Sequence, residues 1–460
     1  MNNSQEAGDI SFSVYNRVLT NTPNHPLSAL DGTYETGWKS SRNLTKVLNH
    51  LDFIKEKLSI AEELGLDKHS DNYDEKYLIL MQHMSKNIST EMAIDKICSI
   101  SKIKKTDAVK LLRKYATISH AEFHPTDLCN SRCKGCTYGH DLDSTRPKPL
   151  HFPFKHIKDI TDYNLKSMVI VGGGEPTLYS ESGHDFDDLI KEIRRCMPNV
   201  KLSLKTNGTF LPKGDWAKEF EYVRVSIDAA TPETYKKYRG IDMFDKAIAN
   251  YLEYLKMNVK YVGASFLFNK DNIHESVEIA RMLRNKVLQK CPENIKKVNI
   301  QYRPLRRDPK DFKNPLSLAV TQEQIDVESK KLSKVLAEDK EFSKFLSEQT
   351  NITAIIGGNR HVRHDFSRCL YSQIFHIFRA NGEISPCFVR VLEPDFSLGS
   401  ITQDTLESVA LNSLCLASAR KRYCDSDGCR QCHVNYVIEK GLRGELVPSK
   451  SQDVRNDPMF

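Results

Sequence analysis

The chain has 460 residues, of which 39% are hydrophobic and 28% are charged. This composition fits a globular protein of roughly three domains and excludes a wholly disordered or collagen-like chain. The 67 basic and 60 acidic side chains leave a formal charge of +7, which permits an acidic partner without requiring nucleic acid. No apolar run approaches the roughly 18 residues of a membrane span, and the polar start lacks a signal-peptide core. We expect a cytoplasmic protein with no membrane partner.

The N-terminal quarter is predicted to be a polar arm, residues 1–42, followed by a helical region, residues 43–116. Apolar residues recur at three- and four-residue steps from Leu44 to Ala61, which is the period of an amphipathic helix. A second helical block runs over about 74–115, with a break near 99–105. Its last part, Met92–Tyr115, is basic and faintly resembles a helix-turn-helix. We interpret this basic segment as a solvated helix face rather than as a DNA-binding surface, so nucleic acid is not expected as a partner.

Residues 117–308 alternate between candidate strands and helices, which predicts parallel βαβ units. The region is too short for an eight-stranded barrel. The predicted fold class is therefore α/β, with an open, partial (β/α)6 barrel. The candidate strands are Ala121–His124, Met168–Val171, Leu202–Thr206, Val223–Ile227, Val262–Leu267 and Val298–Arg303.

The C-terminal third is predicted to hold a helical connector, residues 309–365, a small α+β module, residues 366–445, and a tail, residues 446–460. The module shows a hairpin signal, in which two short apolar runs flank Asn381-Gly382. This dipeptide is typical of a type I′ turn.

The first cysteine cluster has the spacing C-x3-C-x2-C and consists of Cys129, Cys133 and Cys136. Three thiolates from one short loop suit three corners of a 4Fe-4S cubane and leave the fourth iron open. A ferredoxin needs a fourth local thiolate, and a structural zinc site normally has four closed ligands. Clustered cysteines in a reducing compartment indicate metal or redox chemistry rather than disulfides.

This motif resembles that of the radical S-adenosylmethionine (SAM) superfamily, and further features follow in the family's order. The second predicted strand ends in Gly172-Gly173-Gly174-Glu175-Pro176. By resemblance, Gly173, Gly174 and Glu175 contact the methionine ammonium of SAM, since glycines allow close backbone approach and a carboxylate suits an amine. The alternative interpretation is that this glycine segment is an ordinary turn between a strand and a helix.

The fourth predicted strand contributes Ser226, and Arg239 follows it. The resemblance implies that Ser226 contacts the ribose of SAM and that Arg239 binds the SAM carboxylate. An exposed turn serine and a surface arginine are the alternatives. Many family members have an aromatic residue before the last cysteine of the loop, where this chain has Gly135, so Tyr138 is expected to cover the adenine instead. All these residues follow strands, and in a β/α barrel such segments share one face.

The second cysteine cluster resembles the SPASM and twitch modules, which carry auxiliary clusters in radical SAM enzymes. The resemblance implies an auxiliary 4Fe-4S cluster held by Cys369, Cys387, Cys429 and Cys432, with Cys424 as an alternative ligand. The shorter twitch form, with one cluster, fits the cysteine count better. Structural zinc, with His433 nearby, is the rival interpretation because C-x2-C pairs are common in zinc sites.

The resemblance implies an enzyme that reductively cleaves SAM to a 5′-deoxyadenosyl radical, which abstracts hydrogen from the substrate. The expected substrate is a small natural product of the sugar or aminocyclitol type, oxidised with the auxiliary cluster as electron acceptor. Arg303, at the end of the sixth strand, is a candidate catalytic residue. A flavodoxin or ferredoxin-type reductant is the expected partner. The alternatives are a radical SAM maturase of a ribosomally made peptide and a non-enzymatic iron–sulfur sensor that binds DNA.

Overall fold

The computed structural model describes residues 41–67, 70–136, 138, 149–305, 320–352, 369–388, 390–419 and 432–443. Within these ranges none of the helices is long and apolar enough to cross a membrane. Helices flank the barrel strands and also precede and follow them. They are α1 Ser41–Glu63, α2 Tyr73–Met84, α3 Thr90–Ser101, α4 Lys105–Ala116, α5 Phe186–Cys196, α6 Pro232–Arg239, α7 Phe244–Lys256, α8 Ser276–Lys290, α9 Gln322–Glu338, α10 Lys340–Gln349, α11 Leu406–Ala419 and α12 Cys432–Leu442.

The strands form one sheet in the order β6-β5-β4-β3-β2-β1-β7-β8-β9. The first six pair in parallel, in chain order, as expected for a partial barrel. All six predicted barrel strands are therefore confirmed, with ends that shift by up to three residues. Their bounds, with those of the C-terminal strands, are β1 His120–Phe123, β2 Ser167–Ile170, β3 Lys201–Thr206, β4 Phe220–Ser226, β5 Tyr261–Phe268, β6 Val298–Pro304, β7 Phe375–Phe378, β8 Glu383–Ser385 and β9 Gly399–Ser400.

Side chains of the barrel strands alternate between two faces of the sheet. One face is apolar and forms the main core with the helices, to which β3 contributes Leu202 and Leu204. The opposite face carries polar side chains, although parallel strands are usually apolar on both sides. We call this the polar face, and it comprises Glu122, Lys205, Arg224, Ser226, Ser265, Asn299, Gln301 and Arg303.

The N-terminal helices and the C-terminal module pack on each other beside the barrel. Helix α1 shares a core with β7 and α12, and helices α2–α4 share another with α11. Arg113 of α4 forms an ion pair with Glu407 of α11 at 2.6 Å. The C-terminal strand β7 pairs in parallel with β1. The C-terminal module therefore continues the barrel sheet and rests on the N-terminal helices.

The predicted hairpin is present, but its turn is not type I′. Strands β7 and β8 are antiparallel, and the N–H of Gly382 donates to the carbonyl of Arg379 at 2.8 Å. Gly382 has a φ of 82°, whereas Asn381 is not left-handed. A type I′ turn requires both residues to be left-handed, so the connection is instead a type I turn over Arg379–Gly382 with a glycine bulge.

Candidate functional site

The cysteine loop, residues 129–136, follows β1 and carries all three cysteines of the first cluster. Each of these cysteines is half-buried. The N–H of Ser131 lies 3.4 Å from Sγ of Cys129. Burial nevertheless raises the pKa of the Cys129 thiol to about 12, and the neighbouring Cys133 and Cys136 add to the effect. Iron must therefore displace a proton from this sulfur when it binds.

The glycine segment after β2 supports the chain leading into the cysteine loop. The N–H of Gly174 donates to the carbonyl of Thr126 at 2.9 Å, and the N–H of Glu175 donates to the carbonyl of Leu128 at 2.7 Å. A Cβ at Gly174 would lie 2.2 Å from that Leu128 oxygen. Only glycine permits this approach.

The turn after β3 holds the middle of the cysteine loop through an amide pair. Nδ2 of Asn207 donates to Oδ1 of Asn130 at 2.8 Å and to Oγ of Ser131 at 3.2 Å. Asn130 in turn donates to Oγ1 of Thr209 at 2.8 Å. The sequence analysis assigns no role to Asn207, although its position directly after a predicted strand is the kind of place where barrel active sites form.

The end of α6 holds the last part of the cysteine loop. The N–H groups of Arg132 and Lys134 donate to the carbonyls of Arg239 and Tyr238, each at 2.9 Å. Gly240 follows with a φ of 69°, and a Cβ there would lie 2.6 Å from the carbonyl oxygen of Arg132. The segments that follow β2, β3 and β4 thus hold, respectively, the chain leading into the loop, its middle and its last part.

Glu175 points into the protein rather than into open space. Its carboxylate accepts hydrogen bonds from the hydroxyls of Thr177 and Thr206 at 2.6 Å each, and from the N–H of Asn207 at 2.6 Å. Burial raises the pKa of Glu175, and these donors oppose that effect. The carboxylate predicted to meet the ammonium of SAM is thus turned inward by two threonines from different segments.

Arg239 lies between Cys133 and Asp228. Its Nη1 donates to Sγ of Cys133 at 3.2 Å, and its Nη2 is 2.7 Å from Oδ2 of Asp228. Nη2 also donates to the backbone carbonyl of Ser226. Nε is buried without a hydrogen-bond partner among the described atoms. The structure therefore brings Ser226 and Arg239 together, but through the backbone of Ser226, and it adds Asp228, to which the sequence assigned no role.

Tyr138 lies just beyond the cysteine loop, against a buried histidine. Its ring contacts that of His124 edge-on, with centroids 5.2 Å apart. Tyr138 and Gly173 both line a small cavity at the end of β1. Burial lowers the pKa of His124, which keeps this imidazole neutral. The aromatic ring expected over an adenine is thus at the strand ends, beside Gly173.

The second cysteine cluster is described only in part. Cys369 is 9% exposed, and its Sγ accepts a hydrogen bond from Nδ2 of Asn435 at 3.6 Å. Asn435 lies on α12 one turn after Cys432, with which that helix begins. Cys387 follows β8 and is half-buried. Cys424 and Cys429 fall outside the described residues.

Arg303 and a large groove occupy different parts of the described structure. Arg303 belongs to the polar face, where its strand pairs it with Leu267. The groove has a volume of about 1460 Å³ and lies between the N-terminal helices and the C-terminal module, with Met92 and Asp395 on its walls. None of its lining residues comes from the barrel, so it is not part of the cysteine-loop site.

Residues 123–283 match the Radical SAM superfamily. A probable GTP 3′,8-cyclase of Metallosphaera sedula is 28% identical over 159 residues, which cover 34% of this chain and 48% of that protein. A lipoyl synthase of Pseudomonas fluorescens is 38% identical over 78 residues, or 16% of this chain and 22% of that protein. The chain thus spans less than half the length of these curated relatives.

Solved structures with a similar fold include anSMEcpe with bound AdoMet, at a TM-score of 0.47 and 18% identity, covering 69% of this chain and 88% of that one. Streptococcus suis SuiB bound to its precursor peptide SuiA has a TM-score of 0.45 and 14% identity, covering 68% and 69%. Both likenesses are distant.

Residues 123–283 thus match a domain that, in the radical SAM superfamily, binds a 4Fe-4S cluster and SAM. Among the described residues no group of three or more His, Cys, Asp or Glu is arranged to hold a single metal ion. A cubane differs from a single ion because its thiolates bind separate irons. Three features of the described residues fit this cofactor set. They are the three cysteines on one hydrogen-bonded loop, the close backbone approach at Gly174 and the buried Nε of Arg239, which has no hydrogen-bond partner.

Proposed function

We propose that this chain is a radical SAM enzyme that removes a hydrogen atom from a small, polar, hydroxyl-bearing substrate. The observation that carries the proposal is the cysteine loop, which segments after β2, β3 and β4 fasten at the strand ends. Cys129, Cys133 and Cys136 would hold the cluster there. When bound, the cluster and SAM supply a one-electron cleavage that yields methionine and a 5′-deoxyadenosyl radical.

The polar face supports a substrate rich in hydrogen-bonding groups. Nζ of Lys205 lies 3.1 Å from Oε1 of Glu122, and Arg224 donates to Gln301 across the strands. Burial alone would raise the pKa of Glu122, but attraction to the Lys205 ammonium lowers it well below its usual range. The carboxylate therefore stays ionised and can accept hydrogen bonds from substrate hydroxyls. We propose Arg303, at the end of the same face, as a further substrate contact.

The second cysteine cluster supports an oxidation. We propose that Cys369, Cys387, Cys429 and Cys432 hold an auxiliary 4Fe-4S cluster that accepts an electron from the substrate, with Cys424 as the alternative ligand. The hydrogen bond from Asn435 to Sγ of Cys369 supports this arrangement, because it sets the first turn of α12 beside Cys369. A flavodoxin or ferredoxin-type protein would supply the first electron.

A ribosomally made peptide is the second candidate substrate, and the groove beside the helical lobe favours it. Its volume of about 1460 Å³ exceeds the roughly 300–1,000 Å³ typical of small-molecule pockets. Introducing a negative charge on its apolar wall, by Met92→Glu, would weaken binding of a peptide substrate and leave turnover of a small molecule unchanged.

The experiment that tests the proposed function is release of 5′-deoxyadenosine from SAM under anaerobic conditions with dithionite. The wild type should release it, and Cys133→Ala should release none. Cys196→Ala is the matched control, because Cys196 ends α5 next to Glu192 and is remote in sequence from the loop. Equal product from wild type and Cys133→Ala would end the proposal.

A further inference from the structure

Arg239 is the residue at which helix α6 meets the cysteine loop. It ends the helix, is 7% exposed, and its backbone carbonyl accepts the N–H of Arg132 at 2.9 Å. Its side chain turns back to the same loop and reaches Sγ of Cys133 at 3.2 Å. One residue thus contacts the loop through both its backbone and its guanidinium.

Asp228 fixes the direction of that guanidinium. It is 3% exposed, and its Oδ2 is 2.7 Å from Nη2 of Arg239. Its Oδ1 accepts the N–H of Leu267 at 2.7 Å, and its backbone carbonyl accepts Nδ2 of Asn272 at 2.8 Å. A carboxylate held in this way by β5 and the segment after it leaves the arginine little freedom.

The guanidinium of Arg239 has no adjacent pair of N–H groups left to bind both oxygens of a ligand carboxylate. A bidentate pair uses Nη2 together with either Nη1 or Nε. Nη2 is already engaged by Asp228 and by the carbonyl of Ser226. The remaining donors are Nε and the second hydrogen of Nη1, which lie on different sides of the guanidinium and form no such pair.

We propose that Arg239, held by Asp228, is a positioning residue for the Cys133 thiolate and tunes the cluster that this thiolate binds, instead of clamping the carboxylate of SAM. This inference rests on the proposed function, since it requires a cluster at Cys133. A charged donor to a ligand sulfur stabilises the added electron, and hydrogen bonds to sulfurs are known to set cluster potentials. Loss of the donor should therefore make the cluster harder to reduce.

The test compares the wild type with the double variant Arg239→Met/Asp228→Asn. This change removes both charges together, so no unpaired ion is left buried. Asn also tolerates the left-handed backbone of Asp228, whose φ is 59°. Fluorescence of the buried Trp216 verifies the fold. Redox titration followed by electron paramagnetic resonance gives the potential of the SAM-responsive cluster, and equilibrium dialysis gives the affinity for SAM.

We expect the ratio of reduced to oxidised cluster at a fixed potential to fall about tenfold, a shift of about 59 mV to more negative values. The affinity for SAM should change less than threefold. An unchanged potential together with a more than thirtyfold loss of affinity for SAM would overturn the inference. Arg239 would then be assigned to binding the carboxylate of SAM. Absence of iron at the wild-type loop would overturn the proposed function as well, so the two failures are distinguishable.

Discussion

Replacement of Gly240 by alanine should loosen the cysteine loop. Gly240 has a φ of 69°, and a Cβ there would lie 2.6 Å from the carbonyl oxygen of Arg132 and 2.9 Å from its Cβ. The left-handed backbone costs an L-residue about 1–2 kcal/mol, and forcing an extra methyl against packed backbone costs about 1–3 kcal/mol. The smaller entropy of the unfolded alanine chain returns about 0.4–1 kcal/mol. We expect a net loss of about 1–5 kcal/mol in the free energy of unfolding.

Gly183→Ala is the matched control for this prediction. Gly183 has a φ of 85° but nothing within 4 Å of its added Cβ, so it carries the backbone cost alone. The assay is urea unfolding of the iron-free protein, followed by the fluorescence of Trp216, which is 1% exposed. The other of the two tryptophans is removed as Trp38→Phe.

The difference between the two glycine variants isolates the contact with the loop. Gly240→Ala should lose about 1–3 kcal/mol more than Gly183→Ala, and it should retain less iron after anaerobic reconstitution. Equal losses in both variants, with equal iron, would refute the reasoning, because the loop would then not depend on the close approach at Gly240.

Three further perturbations test other parts of the structure. Gly174→Ala should reduce iron uptake at least several-fold, because its Cβ would lie 2.2 Å from the Leu128 carbonyl oxygen. Gly173→Ala is the control and should keep its iron, because its Cβ would have no contact shorter than 3.9 Å. Equal iron uptake in the two variants would contradict a role for the close approach at Gly174. Burial lowers the pKa of His50 from its usual 6.5 to about 4. Between these pH values the unfolded state therefore binds more protons than the folded state. The free energy of unfolding should fall by up to about 3 kcal/mol as the pH drops from 6.5 to 4. His50→Leu should flatten that pH dependence, and an unchanged slope in urea unfolding would exclude His50 as its source. Cys387→Ala should lower iron towards four per chain while 5′-deoxyadenosine is still released; unchanged iron would remove Cys387 from the ligand set.

The barrel could be predicted from the sequence because its signals are local. Short strand patterns alternate with helical patterns along this part of the chain, and the cysteine spacing and the glycine run are contiguous motifs. Helix α6 also had local signals that went unused: Thr231 caps its first turn, and Pro232 occupies its first position.

The orientation of the charged groups could not be predicted in the same way. Glu175 turns inward because Thr177 and Thr206 lie on different segments that meet only in the folded protein. Asp228 captures Arg239 because β5 and the segment after it hold its carboxyl group and backbone. The type I turn before Gly382 likewise differs from the expected turn by the conformation of the single residue Asn381. The orientations of Glu175 and Arg239 thus depend on long-range packing, whereas the turn depends on the local conformation of Asn381, and sequence spacing specifies neither.

The central claim is that Cys129, Cys133 and Cys136 hold a cluster with one iron open to SAM. The most direct measurement is the electron paramagnetic resonance spectrum of the dithionite-reduced protein before and after SAM is added. The wild-type signal should shift its g-values when SAM binds the open iron, and Cys133→Ala should lack the SAM-responsive component. The account would be contradicted if the g-values of the wild-type spectrum did not change on adding SAM, or if Cys133→Ala showed the same change as the wild type.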